Sequence, residues 1–336
     1  MPDLPGPRGP LSAAVLAHLR DGPVASPAPA MTADPYGDDL QLALYCCYEL
    51  HYRGFDGVSD DREWDPALLA VRCAMEQRFL AQLRVDVAPG SDVGAELDCL
   101  LVESPDDRGV SHHLRDDGRV EQLREYVCHR SLYHLKEADP QAFVIPRLDG
   151  AAKAGLVTVE HDEYGAGRPE RMHARMFAEL MVALDLDPTY GRYLDLAPAE
   201  TLAEVNLMSL CGLRRGLRGA LIGQFATVEL TSSPGSDRLV RGMRRLGLPD
   251  AAVAFYAEHV EADAVHEQLV RRQVIDPLLA AEPELGADVV FGIRASTLLA
   301  DRFGQRLLSS WAKGESALRD PITRPLGTPG ERVGAS

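Results

Sequence analysis

The chain has 336 residues, of which 46% are hydrophobic, so it is long enough to bury a sizeable core as one large domain or two small ones. Its formal net charge of -16 argues against nucleic acid and anionic membrane as partners and favours small molecules or proteins. No segment approaches the roughly 20 apolar residues of a membrane span, and the N-terminus lacks the pattern of a signal peptide. A cytoplasmic protein is therefore expected.

Helical patterns dominate the chain between its two ends. Residues 1–36 are rich in Pro and Ala and are expected to be loosely ordered, and residues 317–336 are expected to form a tail. Between these segments apolar residues recur at helical spacing, while alternating strand patterns are scarce. The predicted helices cover residues 38–55, 64–84, 120–139, 149–164, 169–185, 199–232, 236–246, 250–282 and 287–313, with a polar surface loop at 104–120. The sequence predicts an all-α helical bundle in a domain at 37–316.

Three side chains that commonly bind metals share one face of the helix predicted at 250–282. His259, Asp263 and His266 lie in the segment AEHVEADAVHEQLV, residues 257–270. Each residue of an α-helix advances by about 100°, so the three side chains fall within an arc of about 100°. Their neighbours are apolar, so part of this face is expected to point inward, where imidazole and carboxylate groups are costly unless paired or bound to a metal. The alternative is a set of hydrogen-bonded polar residues on a half-exposed helix.

Further carboxylates and imidazoles occur on other predicted helices. Glu229 is the only charged residue in a helix of small and apolar residues, where an unpaired carboxylate is normally avoided. Glu170 and His173 are three residues apart, a spacing that Asp263 and His266 repeat. Such pairs, with additional carboxylates, build dinuclear iron or manganese sites in helical bundles. The remaining candidates are Glu137 and Glu163. Glu160 and His161 are also present in this region, but they are adjacent residues that face apart on a helix, so they are expected to lie outside the site.

The donor types narrow the choice of metal. Carboxylate and imidazole groups without thiolates suit iron or manganese. The six cysteines form no Cys-x-x-Cys pair, so neither a zinc cluster nor a disulfide framework is indicated. A catalytic zinc site needs only three protein ligands, which is fewer than the candidates present, but the sequence alone leaves zinc open.

Four segments together resemble a known superfamily. The segments are KEADP (136–140), DEYGAGRPERMH (162–173), ATVELTSS (226–233) and EHVEADAVH (258–266). They are similar to the haem-oxygenase-like diiron oxidases and oxygenases, and within these to the iron-containing redox enzymes. The resemblance covers roughly residues 40–315 and implies a haem-oxygenase-like helical bundle with two iron ions, Fe(II) or Fe(III). The implied ligands are Glu137, Glu163, His173, Glu229, His259, Asp263 and His266.

The pairing of Glu163 with His173 requires a break in the helix between them. Ten residues of unbroken helix would separate the two by about 15 Å, too far for a shared metal. Two glycines and a proline lie between them and are expected to let the chain fold back. Without that break Glu170 would be the geometric choice beside His173, whereas the family pattern favours Glu163.

Other polar residues are expected outside the site. Glu49 and His51 are two residues apart and point in different directions on a helix, so they are expected to serve in packing or to support the ligands by contact rather than to bind a metal. His134 is expected to support Glu137 by contact. The three arginines of LRRGLRG (213–219) are expected to form a solvated helix face rather than a site for an anionic substrate.

The resemblance also implies an activity. It indicates an enzyme that uses O2 as co-substrate and takes electrons from a donor to oxidise a small-molecule substrate. Similar proteins oxygenate amine nitrogens, cleave C–C bonds, or desaturate fatty acids and amino acids, and the seven-ligand set favours an N-oxygenase of secondary metabolism. Two alternatives from other classes are a non-enzymatic bundle that stores iron and a metal-free interaction protein. The sequence does not specify the substrate, the reductant or the oligomeric state, for which a homodimer is one option.

Overall fold

The computed structural model describes residues 1–23, 26–103 and 108–322. These residues form helices and contain no β-strand, which confirms the predicted all-α class. The α-helices are α1 (Pro10–Leu19), α2 (Asp38–Glu49), α3 (Pro66–Asp86), α4 (Val93–Leu100), α5 (Val110–Asp116), α6 (Val120–His134), α7 (Asp139–Ala142), α8 (Gly150–Glu163), α9 (His173–Ala183), α10 (Ala199–Leu213), α11 (Arg218–Arg245), α12 (Asp250–Leu269), α13 (Asp276–Ala281) and α14 (Gly286–Ala312). A π-helical segment, Val270–Ile275, joins α12 to α13. Short 3-10 helices occupy Ala28–Met31, Asp60–Trp64, Ile145–Arg147, Gly165–Gly167, Pro169–Arg171, Leu194–Leu196, Arg215–Leu217 and Pro283–Leu285.

The long helix α11 is central to the packing. It lies against both α12 and α14 and contributes to two apolar clusters. Phe225 and Leu230 belong to the cluster formed with α2, α3, α8 and α10, and Leu239 and Met243 belong to the cluster formed with α6, α9 and α12. The candidate ligand Glu229 is therefore on the part of α11 where the two clusters adjoin.

Helices α11 and α14 approach each other very closely. A Cβ atom added at Gly223 would lie 2.0 Å from the carbonyl oxygen of Val289, and one added at Gly292 would lie 2.0 Å from that of Ala220. No side chain larger than hydrogen fits at either position without moving a backbone. These two glycines, one on each helix, therefore allow the short distance between the backbones of α11 and α14.

The N-terminal segment, which was expected to be loosely ordered, contains a helix. Residues 10–19 form α1, which packs against α2. Leu11, Val15 and Leu16 are each at most 1% exposed. The sequence analysis missed this helix because its apolar pattern is short and the first 36 residues are rich in Pro and Ala. At the other end, Ala317 and Leu318 are buried, and the expected tail beyond residue 322 lies outside the described residues.

Two other expectations are corrected. The helix predicted at 199–232 divides at Arg214, whose extended backbone ends α10, while α11 continues through the exposed Pro234 to Arg245. The packing of α11 on α12 and α14 holds the turns on both sides of this proline, so the loss of one hydrogen bond does not end the helix. The polar segment at 104–120 contains helix α5, with Leu114 buried against α11; residues 104–107 lie outside the described part.

The sequence predicted no membrane-spanning segment, and the hydropathy of the helices agrees with this prediction. Among the described residues, no helix is both long and apolar enough to cross a bilayer. The six cysteines are free, and Cys46, Cys47, Cys128 and Cys211 are buried.

Candidate metal centre

The turn between α8 and α9 brings two of the predicted ligands together. Helix α8 ends at Glu163 and α9 begins at His173. Between them Gly165 and Gly167 have φ values of 78° and 79°, which glycine adopts without steric cost. The chain reverses, and Nδ1 of His173 lies 2.6 Å from Oε2 of Glu163. Glu170, the alternative neighbour of His173, is exposed on a 3-10 turn.

Helices α11 and α12 provide four of the other candidate donors. The three candidates on α12 point inward together, because α12 packs against α11 on one side and α9 on the other. Nδ1 of His266 lies 3.1 Å from Oε2 of Glu229 and 3.7 Å from Oδ1 of Asp263. Glu137 follows the end of α6, and its Oε1 lies 3.8 Å from Nε2 of His259.

The seven side chains form two overlapping groups of four. Within each group one potential donor atom per residue lies within 4.8 Å of the others, so that each group could hold an ion. The first group is Glu137, Glu163, His173 and His259, and the second is Glu163, Glu229, Asp263 and His266.

Glu163 is the residue that the two groups share. Its Oε2 faces His173 of the first group at 2.6 Å, and its Oε1 faces His266 of the second at 3.5 Å. The two oxygens of one carboxylate are thus directed to different groups. Glu163 could therefore serve as a ligand in either group.

Burial and charge also fit cations at this position. None of the seven side chains is more than 6% exposed. Nε2 of His259, Nδ1 of His173 and Oδ2 of Asp263 have no hydrogen-bond partner in the described part of the chain. The short contact of His173 with Glu163 lacks hydrogen-bond geometry, and each such orphaned atom costs about 1–3 kcal/mol unless something else binds it. Four carboxylates and three neutral imidazoles carry a formal charge of -4, which two divalent cations would balance.

The ionisation of the metal-free cluster reflects this crowding of carboxylates. Burial raises the pKa of Glu229 to about 8, against an opposing hydrogen bond with His266 and with the support of the neighbouring carboxylates. Burial alone would lower the pKa values of His259 and His266, but adjacent carboxylates raise them to about 10 and about 9. At neutral pH protons therefore occupy positions where a cation would bind.

Polar contacts around the cluster orient its side chains. Nδ1 of His259 donates to a backbone carbonyl one turn earlier at 2.8 Å, which leaves Nε2 facing the cluster. Nε2 of His266 lies 3.4 Å from Oδ2 of Asp162. Nδ1 of His134 lies 3.0 Å from Oε2 of Glu137, the contact expected from the sequence. Contacts of this kind fix the ring orientation and tautomer of metal-binding histidines.

Sequence reasoning missed Glu160, which lies near the cluster. Glu160 is 3% exposed, and neither carboxyl oxygen has a hydrogen-bond partner among the described residues. Burial and the charges of Glu163 and Glu229 raise its pKa to about 9, so it is a neutral acid at pH 7. The signal was present in the spacing, because residues 160 and 163 share one face of α8. The contact of Asp162 with His266 was also not anticipated.

The residues expected to lie outside the site have other partners. Glu49 and His51 belong to neither group of donors and contact other polar side chains, and two of the three arginines at 213–219 form ion pairs. The pairs are Glu49–Lys136, His51–Glu63, Arg214–Glu76 and Arg218–Glu282.

A cavity of about 480 Å³, which we call the large cavity, reaches the cluster from one side. It lies among α6, α10, α11, α12 and α14 and extends to His134 and His259. Phe255 and several tyrosines line it beside these histidines. Farther along, the wall contains the ion pair of Arg130 and Glu204, whose Nη1 and Oε2 atoms are 3.0 Å apart.

A second cavity, of about 330 Å³, reaches the cluster from another side, and we call it the acidic cavity. His173 and His266 form its inner wall. Asp162, Glu258 and Glu261 line it nearer the surface. The two cavities share no lining residue, so they reach the cluster from two different sides of the protein.

Comparison with known proteins connects this geometry to a family. The family model described as iron-containing redox enzyme matches residues 124–301, more than half of the 336-residue chain, and this range includes all seven candidate ligands. No curated protein sequence matches the chain significantly. The matched region contains buried carboxylate and imidazole clusters of a kind that suits iron. The chain belongs to the family of iron-containing redox enzymes, as its sequence motifs suggested, and is an iron-dependent oxidoreductase.

Proposed function

We propose that the protein is a non-haem diiron enzyme that uses O2 and an external electron donor to oxidise a small organic molecule. The observation that carries this proposal is that the two carboxylate oxygens of Glu163 face different groups of donors. One oxygen lies 2.6 Å from Nδ1 of His173 and the other lies 3.5 Å from Nδ1 of His266. Glu163 together with the three further donors of each group would be sufficient to hold two ions. The donors are oxygen and nitrogen atoms, which favours iron over metals that prefer thiolates.

We further propose that the large cavity binds the organic substrate. Its volume of about 480 Å³ lies within the range of roughly 300–1,000 Å³ typical of small-molecule pockets. Near the cluster the wall is aromatic, which suits the carbon skeleton of a substrate. Arg130 and Glu204 present one charge of each sign, and Tyr256 has a buried hydroxyl without a hydrogen-bond partner among the described residues. These groups can hold the polar end of a substrate while its other end faces His259.

The chain's own residues would control the reaction in three ways. Bound iron supplies the redox chemistry by which O2 is reduced. The burial of the seven donors keeps bulk water away from that chemistry. His134 holds Glu137 in place through a 3.0 Å contact, and Asp162 does the same for His266 at 3.4 Å. Glu160 holds a proton close to the cluster at neutral pH.

Within this class we propose N-oxygenation of an amine. The support is the seven-donor set, which resembles that of N-oxygenating members of the superfamily. Desaturation and C–C cleavage are the alternatives within the same superfamily. They require the same cluster and differ in the substrate atom that faces it.

Product analysis under ¹⁸O2 tests the proposal. Protein loaded with Fe(II) receives a reductant and candidate amines, amino acids and fatty acids, and the products are identified by mass spectrometry. N-oxygenation predicts one ¹⁸O atom on nitrogen, whereas desaturation predicts a product two hydrogens lighter without label. The Glu163→Gln variant serves as the control without turnover. Iron accumulation far beyond two ions per chain, with no organic product, would indicate storage and contradict the proposal.

A further inference from the structure

We propose that the acidic cavity is the path by which divalent iron enters the cluster, separate from the large cavity that receives the substrate. The proposal rests on the diiron site proposed above. It concerns three carboxylates near the surface, Asp162, Glu258 and Glu261, and two histidines at the inner end of the cavity, His173 and His266.

The inner end of the acidic cavity reaches both halves of the cluster. His173 and His266 are 2% and 1% exposed, and each belongs to a different group of four donors. Nδ1 of His173 has no hydrogen-bond partner within the described residues. A cation that arrives at this wall therefore meets candidate ligands of both groups without crossing the protein core.

The outer part of the cavity offers oxygen donors to an incoming ion. The side chain of Asp162 is 48% exposed, yet its Oδ2 lies 3.4 Å from Nε2 of the buried His266. Glu261 is exposed, whereas Glu258 is paired with Arg171 at 2.6 Å. With that pair neutral overall, Asp162 and Glu261 give the mouth a net negative charge. Carboxylates attract a hydrated divalent cation and can replace its waters one at a time.

The large cavity lacks these properties. Where it reaches the cluster it is lined by Phe255 and His259, and the nearby Arg130 and Glu204 neutralise each other. Farther along its wall, the negative charge of Asp301 is accompanied by the positive charges of two arginines, so the lining as a whole carries no excess of negative charge. Moving a hydrated divalent ion along an aromatic wall is costly, because the ion loses water without gaining donors. The same wall suits an organic substrate. The two cavities thus differ in chemistry as an ion path and a substrate pocket would.

Iron uptake by matched charge variants tests this proposal. Glu261→Gln removes one negative charge from the acidic cavity, and Asp301→Asn removes one from the wall of the large cavity. Metal-free protein is mixed anaerobically with Fe(II), and the rate of uptake is followed in a stopped-flow instrument with a chromophoric iron chelator as competitor. At low ionic strength Glu261→Gln should slow uptake about threefold, as expected for one unit charge near the path of a divalent ion in screened water.

The remaining variants and end points separate the possible outcomes. Glu261→Lys should slow uptake further, Asp301→Asn should leave the rate unchanged, and all variants should reach the same final iron content as the wild type. An unchanged rate in Glu261→Gln, or equal slowing in Asp301→Asn, would overturn the proposal. A faster iron release without slower uptake would also overturn it, because Glu261 would then act on the bound state. If the wild type takes up no iron, the diiron proposal fails first.

Discussion

At the scale of single residues, Glu163 organises the candidate metal centre. It is the last residue of α8, and its carboxylate contacts side chains of α9 and α12. Its two oxygens face histidines that belong to different groups. Glu170 is only three residues before His173, but it is exposed on a 3-10 turn and belongs to neither group of donors. Proximity in sequence is therefore a poor guide at this position, and the backbone reversal decides which carboxylate is inside.

The first prediction concerns His266. Replacing His266 by Ala removes a nitrogen donor and leaves the carboxylates of Glu163, Glu229 and Asp263 without that partner. We expect iron content to fall to one ion per chain or fewer, and O2 consumption to fall with it. The fold should persist, because apolar packing provides most of the stability of a helical bundle. Elemental analysis after anaerobic loading measures the effect.

A buried histidine outside the cluster provides the control. His129 is 1% exposed, and its Nδ1 lies 2.7 Å from Oγ1 of Thr201. The variant His129→Ala should reduce the free energy of unfolding by about 1–3 kcal/mol while retaining full iron content. If His266→Ala shows this same pattern, a lower melting temperature with unchanged iron, then His266 is structural and not a ligand.

The second prediction concerns protons. In the metal-free cluster the pKa values of Glu229, His259 and His266 are raised to about 8, 10 and 9, so all three groups hold protons at pH 7. A metal must displace these protons in order to bind. The affinity for Fe(II) should therefore rise as pH increases from 7 to 9. Calorimetry in buffers of different ionisation enthalpy should detect the released protons, and an affinity that is independent of pH would contradict the assignment.

At the scale of elements, the reversal between α8 and α9 makes the first group possible. Gly165 and Gly167 have almost the same positive φ, but their surroundings differ. A Cβ at Gly165 would lie 2.7 Å from the backbone nitrogen of Met172, whereas nothing lies within 4 Å of a Cβ at Gly167. Both glycines therefore carry the same conformational cost on substitution, but only at Gly165 would an added Cβ also collide with the backbone of Arg171 and Met172.

The third prediction uses this difference. Gly165→Ala and Gly167→Ala should each cost about 1–2 kcal/mol for the left-handed backbone conformation. Only Gly165→Ala should also displace the start of α9, separate His173 from Glu163 and weaken iron binding. Iron titrations of both variants provide the comparison. Equal iron affinity in the two variants would show that the contact with Met172 does not position the donors.

The fourth prediction concerns the crossing of α11 and α14. Gly223→Ala would place a methyl group 2.0 Å from the carbonyl oxygen of Val289, so the helices must separate. We expect the free energy of unfolding to fall by about 2–4 kcal/mol. Gly235 lies on the same helix with open space around it. Gly235→Ala should therefore raise stability by about 0.5–1 kcal/mol, because alanine favours helix. Chemical denaturation measures both, and similar effects would contradict the close packing.

The elements also show what the sequence could and could not predict. The helical spacing of apolar residues predicted where α2, α3, α8 and α12 begin to within about two residues. The boundary between α10 and α11 was placed wrongly, because Pro234 is a strong local signal that tertiary packing overrides. Helix α1 was missed, because one short apolar face was averaged with a Pro-rich surrounding. Local signals were reliable only where long-range packing agreed with them.

In the candidate site, too, local sequence patterns predicted only those contacts that lie within one helix. The common face of His259, Asp263 and His266 came directly from helical geometry, whereas the pairing of Glu163 with His173 came from the family resemblance. Spacing alone could not give the second pairing, because it depends on a turn of the chain. The contact between Asp162 and His266 spans 104 residues, so no local pattern encodes it.

At the scale of the whole molecule, the cluster lies where two apolar clusters adjoin and where two chemically different cavities end. The formal charge of -4 on its carboxylates is difficult to bury without compensation, since each ion loses several kcal/mol of hydration. Partial protonation, as the raised pKa values indicate, offers one form of compensation in the metal-free state. Two divalent cations would provide complete compensation and satisfy the orphaned donor atoms as well.

The number of iron ions per chain tests the central claim most directly. Metal-free protein is titrated anaerobically with Fe(II), and bound and free iron are separated and quantified at each addition. The shared position of Glu163 between two groups of four donors predicts saturation at two Fe(II) per chain. Saturation at one ion, or no binding above the level of His266→Ala, would contradict a dinuclear centre at this site.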